Sequence, residues 1–279
     1  MTRNAIKIMV ASVIVVVLAF VPAFAGGLVK AKSKNAEAQQ LIDKAWAMDR
    51  SGSSVKIFKE CISLLEKADK LDPNNPDILT DLARYYWNHG DLLPKSTSAQ
   101  KKLLQGIYAK GMSYAEKSLK VKETVAAHYW FAVNKAASME FSNIMSQAAS
   151  FPAIYKHSMY VRTNEPSFYY GANGRLWTEI LVRVPKKVVE IVGTKYVDEA
   201  IMEIDNALKA EPRYFDNYVY KARFVNAYYG KKDEALQLLE TVLKQDASVF
   251  PEETVANKIA QKNARELWKE ITGKDYPQK

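Results

Sequence analysis

Three histidines, one cysteine and a few adjacent carboxylates are the residues from which this 279-residue sequence would have to build catalysis or metal binding. His89, His128 and His157 lie far apart in the chain. None has a Cys, His or acidic partner at a metal-ligand spacing, so no metal site is expected. Cys61 stands alone, which excludes an internal disulfide. It falls in a small-residue slot of a helical pattern, where packing explains it better than a reactive thiol does. The pairs Asp198-Glu199 and Glu252-Glu253 sit at expected helix starts, where the helix dipole accounts for them. The sequence has no phosphate loop, no Gly-x-Ser-x-Gly elbow and no His-Glu-x-x-His. Neither an enzyme nor a cofactor is expected, which leaves recognition.

The side chains best suited to recognition lie in the middle of the chain. Tyr160 and Arg162 belong to a basic-aromatic stretch that follows Phe151-Pro152 and closes at Asn164-Glu-Pro166. Beyond it, Ser167 to Pro185 carries Tyr169, Tyr170, Asn173, Arg175 and Trp177, which combine apolar faces with hydrogen-bond donors as a pocket or a protein hot spot requires. Gly171 and Gly174 in the same run fit close helix packing equally well, so pocket and packing both stay open. Arg162 and Arg175 are the groups chosen to meet an acidic ligand or partner. Upstream, Thr124 to Ser150 reads as one helical stretch whose stripe of Tyr129, Trp130, Phe131, Met139, Phe141 and Met145 is core.

These residues need helices to position them. In Val197 to Pro212, Ala200, Ile204, Ala207 and Pro212 fall at offsets 0, 4, 7 and 12. Cys61, Leu65, Ala68 and Pro73 repeat those offsets, as do Ala235, Leu239, Val242 and Ala247, and more weakly Gly111, Ala115, Ser118 and Glu123. Small residues at the first and third positions let a partner helix approach, the larger second one fills the gap, and proline ends the helix. Partner helices are predicted over Pro76 to Asn88 and Asp216 to Tyr229, the latter closing at Gly230. The pattern resembles the tetratricopeptide repeat, a helix pair of about 34 residues. It predicts an all-α fold: a right-handed superhelix of tetratricopeptide-like helix pairs with insertions. The spacings place one insertion near Asp91 to Gln105 and a central one at about 134–192. Function is expected in what was inserted.

The central segment carries a narrower resemblance. Tyr169-Tyr-Gly-Ala-Asn-Gly-Arg-Leu-Trp177, then Pro185, then Asp198-Glu-Ala-Ile, Ala207-Leu and Glu211-Pro-Arg-Tyr-Phe215 together resemble the T-component of tetratricopeptide-associated TRAP transporters. That resemblance implies a periplasmic helical accessory subunit that docks the solute-binding P-component, organic acids as ligands, and a small symmetric homo-oligomer. An apolar ligand is a further expectation, and the alternative function is a general cell-envelope scaffold for protein–protein interaction.

The start of the chain supports export. Arg3 and Lys7 precede the apolar run Ile8 to Phe20, Pro22 breaks it, and Ala23-Phe24-Ala25 fits cleavage before Gly26. This gives a signal peptide over 1–25 and a single helical domain over 26–279. The competing reading is a retained anchor, because no charge interrupts Ile8 to Val29. The net charge of +9 comes from Lys and Arg dispersed among acids with no basic block, so nucleic acid is not an expected partner. With 48% hydrophobic and 25% charged residues the composition is that of a folded chain.

Overall fold

The computed structural model describes residues 26–277, so the leader expected over 1–25 lies outside the described residues. Within them the chain is all-helical, as the periodicity predicts. The α-helices are α1 (Ala36–Asp49), α2 (Val55–Leu71), α3 (Pro76–Asp91), α4 (Ser98–Val121), α5 (Val125–Met139) and α6 (Ile144–Asn164). There follow α7 (Ala172–Arg183), α8 (Lys186–Val192), α9 (Lys195–Ala210), α10 (Asp216–Tyr229), α11 (Lys232–Lys244) and α12 (Thr254–Thr272).

Short polar side chains start the first six helices. Asn35, Ser54, Asn75, Thr97, Thr124 and Asn143 each accept a hydrogen bond from a first-turn N–H. Those N–H groups have no partner inside the helix, so each cap contributes about 1 kcal/mol. Thr97 and Gln100 form a reciprocal capping box, and Pro76 begins α3 directly after its cap.

The anchor positions are where the helices meet. Cys61, Leu65 and Ala68 of α2, Ala115 and Ser118 of α4, Ala200, Ile204 and Ala207 of α9, and Ala235, Leu239 and Val242 of α11 are all buried. Helices α1 to α6 pack each on the next in chain order. After α6 the order changes: α6 also lies against α8, and α7 lies against α9 and α10. One core gathers α1 to α3 and a larger one runs from α3 to α12. The two ends of the row are tied together. Arg50, directly after α1, places Nη1 3.0 Å from a Glu253 oxygen ahead of α12, and its other nitrogen donates to the Glu252 carbonyl. Glu253, itself buried, also accepts from Tyr170 Oη at 3.2 Å.

The expected insertion near Asp91 to Gln105 is taken up by a short connection and the first turns of the long helix α4, which starts at Ser98. Two local expectations need correction. The stripe from Thr124 to Ser150 is not one helix but is broken at residues 140–143. Phe151-Pro152 does not end a helix, because Pro152 lies inside α6. The missing N–H costs α6 one backbone hydrogen bond, and the full burial of Phe151 and Ile154 beside it holds the helix.

Candidate functional site

The segment singled out by its aromatic and basic residues forms a turn with unusual backbone. Tyr169, Tyr170 and Gly171 have φ of 44°, 55° and 79° in succession. The left-handed region costs a tyrosine about 1 kcal/mol or more, so the surroundings must impose it. Arg175 does so from the first turns of α7. Its guanidinium donates to the Tyr169 carbonyl at 2.6 Å, the Tyr170 carbonyl at 3.2 Å and Asn217 Oδ1 at 2.5 Å. The Tyr169 and Tyr214 rings each lie 4.9 Å from it. Asn217 Nδ2 adds a bond to the Tyr170 carbonyl at 3.0 Å. Arg175 is 5% exposed, and the turn takes up both of its terminal nitrogens. A side chain at Gly171 would collide with Ala207, and one at Gly174 with the α9 backbone, so both glycines serve close packing.

On one side of this turn lies a groove with two lobes. The first, about 150 Å³, runs between α3, α5, α7 and α10. The second, about 310 Å³, runs from α1 and α3 to α12. Both lobes are lined by Trp87, Asp91, Trp130, Tyr169 and Asp216, which therefore mark the middle of the groove. Trp87 and Trp130 lie with ring centroids 5.9 Å apart. The wall of the first lobe continues as Val133, Met139, Leu176 and Ile180.

The groove's charges are unevenly paired. Arg183 contacts Glu179 at 2.6 Å and Glu140 at 2.9 Å but reaches Asp91 only at 3.6 Å. Glu179 is also paired with Arg223 at 3.1 Å, and Glu140 with Lys95 at 3.1 Å. Paired from two sides, Glu179 stays ionised despite burial. Asp216 has the Tyr214 hydroxyl at 3.5 Å and no basic group within salt-bridge distance among the described residues. Burial pushes the Asp91 and Asp216 carboxyls up, against the pull of Arg183 and Arg175 respectively. Arg84, bound to Asp49 at 2.6 Å and Asp81 at 3.2 Å, lines the second lobe, and its buried Nη2 has no partner among the described residues.

The other side of the turn faces α9. A cavity there is lined by Gly26, Arg162, Ser167, Tyr170, Asn173 and Glu203, among others. Asn173 Nδ2 donates to Glu203 at 2.5 Å, while its buried Oδ1 has no partner among the described residues. Arg162 pairs with Glu199 at 2.9 Å and Glu203 at 3.4 Å. Burial pushes the Glu203 carboxyl up to about 7.

The residues expected to form one site are therefore distributed. Tyr169 and Arg175 face the groove, and Arg162, Tyr170 and Asn173 face the α9 cavity. Trp177 is core: it is 2% exposed, donates to Ser158 Oγ at 3.0 Å and stacks on Tyr196. Tyr160 stacks on His128 at 3.9 Å. Nothing in the local sequence marks Trp87, Asp91 or Asp216, which the fold brings from two distant helices. Two histidines also meet, with His128 Nδ1 2.9 Å from His157 Nδ1 and His128 Nε2 3.0 Å from Glu123. Burial and the His128 neighbour push His157 down to about 4, so the pair is neutral near pH 7. Glu123 lies on the ring nitrogen turned away from His157, so the three do not converge on one point.

No individually curated protein matches the chain. The sequence does match the family described as Regulator of microtubule dynamics protein 1-3, over residues 36–272. This match corrects the resemblance to the TRAP T-component, whose aromatic-glycine run is a packing and turn device here. The implied solute-binding P-component, the TRAP ligands and the cell-envelope scaffold lose their basis with it. The organic acid also loses its expected partners, since Arg175 is buried in the turn and Arg162 is paired with Glu199 and Glu203. Matched along nearly all of its described length, the chain belongs to the Regulator of microtubule dynamics protein 1-3 family.

Proposed function

We propose that the protein is a non-catalytic binding protein whose central groove takes up an organic cation, a bulky ammonium with an apolar skirt. The observation that carries this reading is the middle of the groove, where Trp87, Trp130 and Tyr169 share one site with Asp91 and Asp216. Aromatic faces attract a cation through their quadrupole, by about 0.5–2 kcal/mol each, and incompletely neutralised carboxylates add the opposite charge. An apolar body fits along Met139, Leu176 and Ile180. Among the described residues no serine or cysteine nucleophile lines the first lobe, and its glutamates are held by Arg183, Arg223 and Lys95, which favours binding over catalysis.

Titration with benzyltrimethylammonium, followed by tryptophan fluorescence, tests this. The wild-type protein should bind it, and Asp91→Asn/Asp216→Asn should weaken binding about tenfold or more. Equal affinity in the double variant, or preference for benzoate over the cation, overturns the reading.

The family description favours a second reading, an action on microtubule dynamics. The observation in its favour is the excess of 40 basic over 31 acidic residues, spread along the helices. Pelleting with microtubules that is lost as salt screens the surface would support it, and no pelleting at low salt would remove it.

We also infer that the helices form a tetratricopeptide-like superhelix. The buried small-large-small anchors and the neighbour-to-neighbour packing of α1 to α6 support this. Export by a cleaved leader is part of the same proposal, supported by the apolar run ending in Ala23-Phe24-Ala25.

A further inference from the structure

The α9 cavity lies outside the groove and contains an unmet demand. Asn173 is 3% exposed, yet its Oδ1 has no partner among the described residues. A buried acceptor without a donor costs about 1–3 kcal/mol, so its presence at the wall of a cavity asks for a donor inside it. Beside it stands the Glu203 carboxylate, whose neighbours are Asn173 from α7 and Arg162 from α6, with Glu199 one turn away on its own helix. Arg162 divides its charge between Glu199 and Glu203, so two carboxyls share one cation. The chemistry that answers a neutral acceptor and a carboxylate together is a small cation rich in N–H donors, an ammonium.

Gly26 lines the same cavity. It is buried, its carbonyl accepts from the Tyr170 N–H at 3.0 Å, and a side chain there would stand 2.7 Å from the Ser167 carbonyl. Position 26 must therefore be glycine, and it is also the residue at which the sequence places leader cleavage. We propose that the cavity is an ammonium-binding site held by Asn173 Oδ1 and the Glu203 carboxylate, and that its occupant is the α-ammonium of Gly26 released by that cleavage. Cleavage breaks the peptide bond between Ala25 and Gly26 by adding water, leaving a carboxylate on the leader and the ammonium on the mature chain. Processing would thereby supply the charge that the folded protein lacks at this point. The inference rests on the export reading and is independent of the groove's ligand.

The test uses the full chain, expressed with its leader in an exporting bacterium and purified from it. Intact mass should show Gly26 as the first residue. An acylating reagent attacks only the neutral amine, and an ammonium held by a carboxylate has a raised pKa. A rise of about one unit slows α-amine labelling about tenfold in the folded protein relative to urea. Glu203→Gln should remove that protection while a cooperative melt shows the variant folded, and Asn173→Ala should remove part of it. If either variant fails to fold, the folded-against-urea comparison on the wild-type protein still decides.

A mature chain starting at another residue overturns both export processing at this point and the inference. A chain starting at Gly26 whose α-amine labels as fast folded as in urea leaves export standing and overturns the inference. Methylammonium separates the two sources of the same chemistry. It should not raise the melting temperature of the processed protein, whose site is filled, and a rise with an unprotected α-amine overturns Gly26 as the occupant.

Discussion

The two sides of the Tyr169–Trp177 segment are both acidic cavities, yet they are built for different cations. In the groove, Asp91 and Asp216 sit among tryptophan and tyrosine faces, a lining that suits a large cation with few hydrogen-bond donors. On the α9 side, Glu203 and Asn173 Oδ1 are neighbours and the aromatic contribution is Tyr170 alone, a lining that suits a small cation with several donors. Two residues adjacent in sequence, Tyr169 and Tyr170, are sent to opposite sides by one left-handed turn. A carboxylate alone does not define a ligand; what surrounds it does.

Both sides depend on one residue, Arg175, which holds the turn between them. Arg175→Met should cost about 3 kcal/mol or more in denaturant unfolding, because the carbonyls of Tyr169 and Tyr170 and Asn217 Oδ1 lose a buried partner and the strained turn its support. A loss below about 1 kcal/mol would show that the turn holds itself. Next in size, Trp87→Ala should weaken benzyltrimethylammonium binding by about 1–2 kcal/mol while leaving α-amine labelling at Gly26 unchanged. A variant that moves both readouts would mean the two sides are one site.

Smaller effects sharpen the contrast through pH. Asp91 and Asp216 are pushed up by burial, so they take up protons earlier than ordinary carboxylates as pH falls. Cation binding in the groove should weaken on acidification before the usual carboxylate range is reached, and a flat profile would remove them from the site. Glu203 gives the opposite sign in stability. Its folded-state pKa of about 7 lies above the ordinary 4.5, so the folded chain binds the extra proton and loses stability as pH rises through that window. Glu203→Gln should therefore melt higher than wild type at pH 8 in a chain that lacks the Gly26 ammonium. In the processed chain the ammonium offsets the carboxylate, and the advantage should shrink or reverse.

Much of the helical framework was readable from spacing. Ala200, Ile204 and Ala207 stand buried where their offsets place them, and α10 spans the predicted Asp216–Tyr229 because Gly230 ends it in a left-handed conformation. The site was less readable. Tyrosine opposes a left-handed turn by its own preference, and this one depends on Arg175 five residues on and Asn217 far along the chain. Trp87 and Asp216 belong to helices whose local patterns give no sign that they face each other. The same holds for His128 and His157, whose contact is made by α5 packing on α6. Residue types showed that Tyr169, Asn173 and Arg175 had polar work to do, and tertiary packing decided which side each would do it on.

The link from Arg50 to Glu253 changes how the row of helices should come apart. A linear stack in which each unit leans on its neighbours frays from its ends, and its terminal helices exchange amide hydrogens first. Tying the loop after α1 to the residues before α12 gives each end a second neighbour more than two hundred positions away. Opening either terminus then requires breaking a contact with the other. Exchange rates in α1 and α12 should rise together when Arg50 is replaced, because a single clasp makes the two ends of the helical row one cooperative unit.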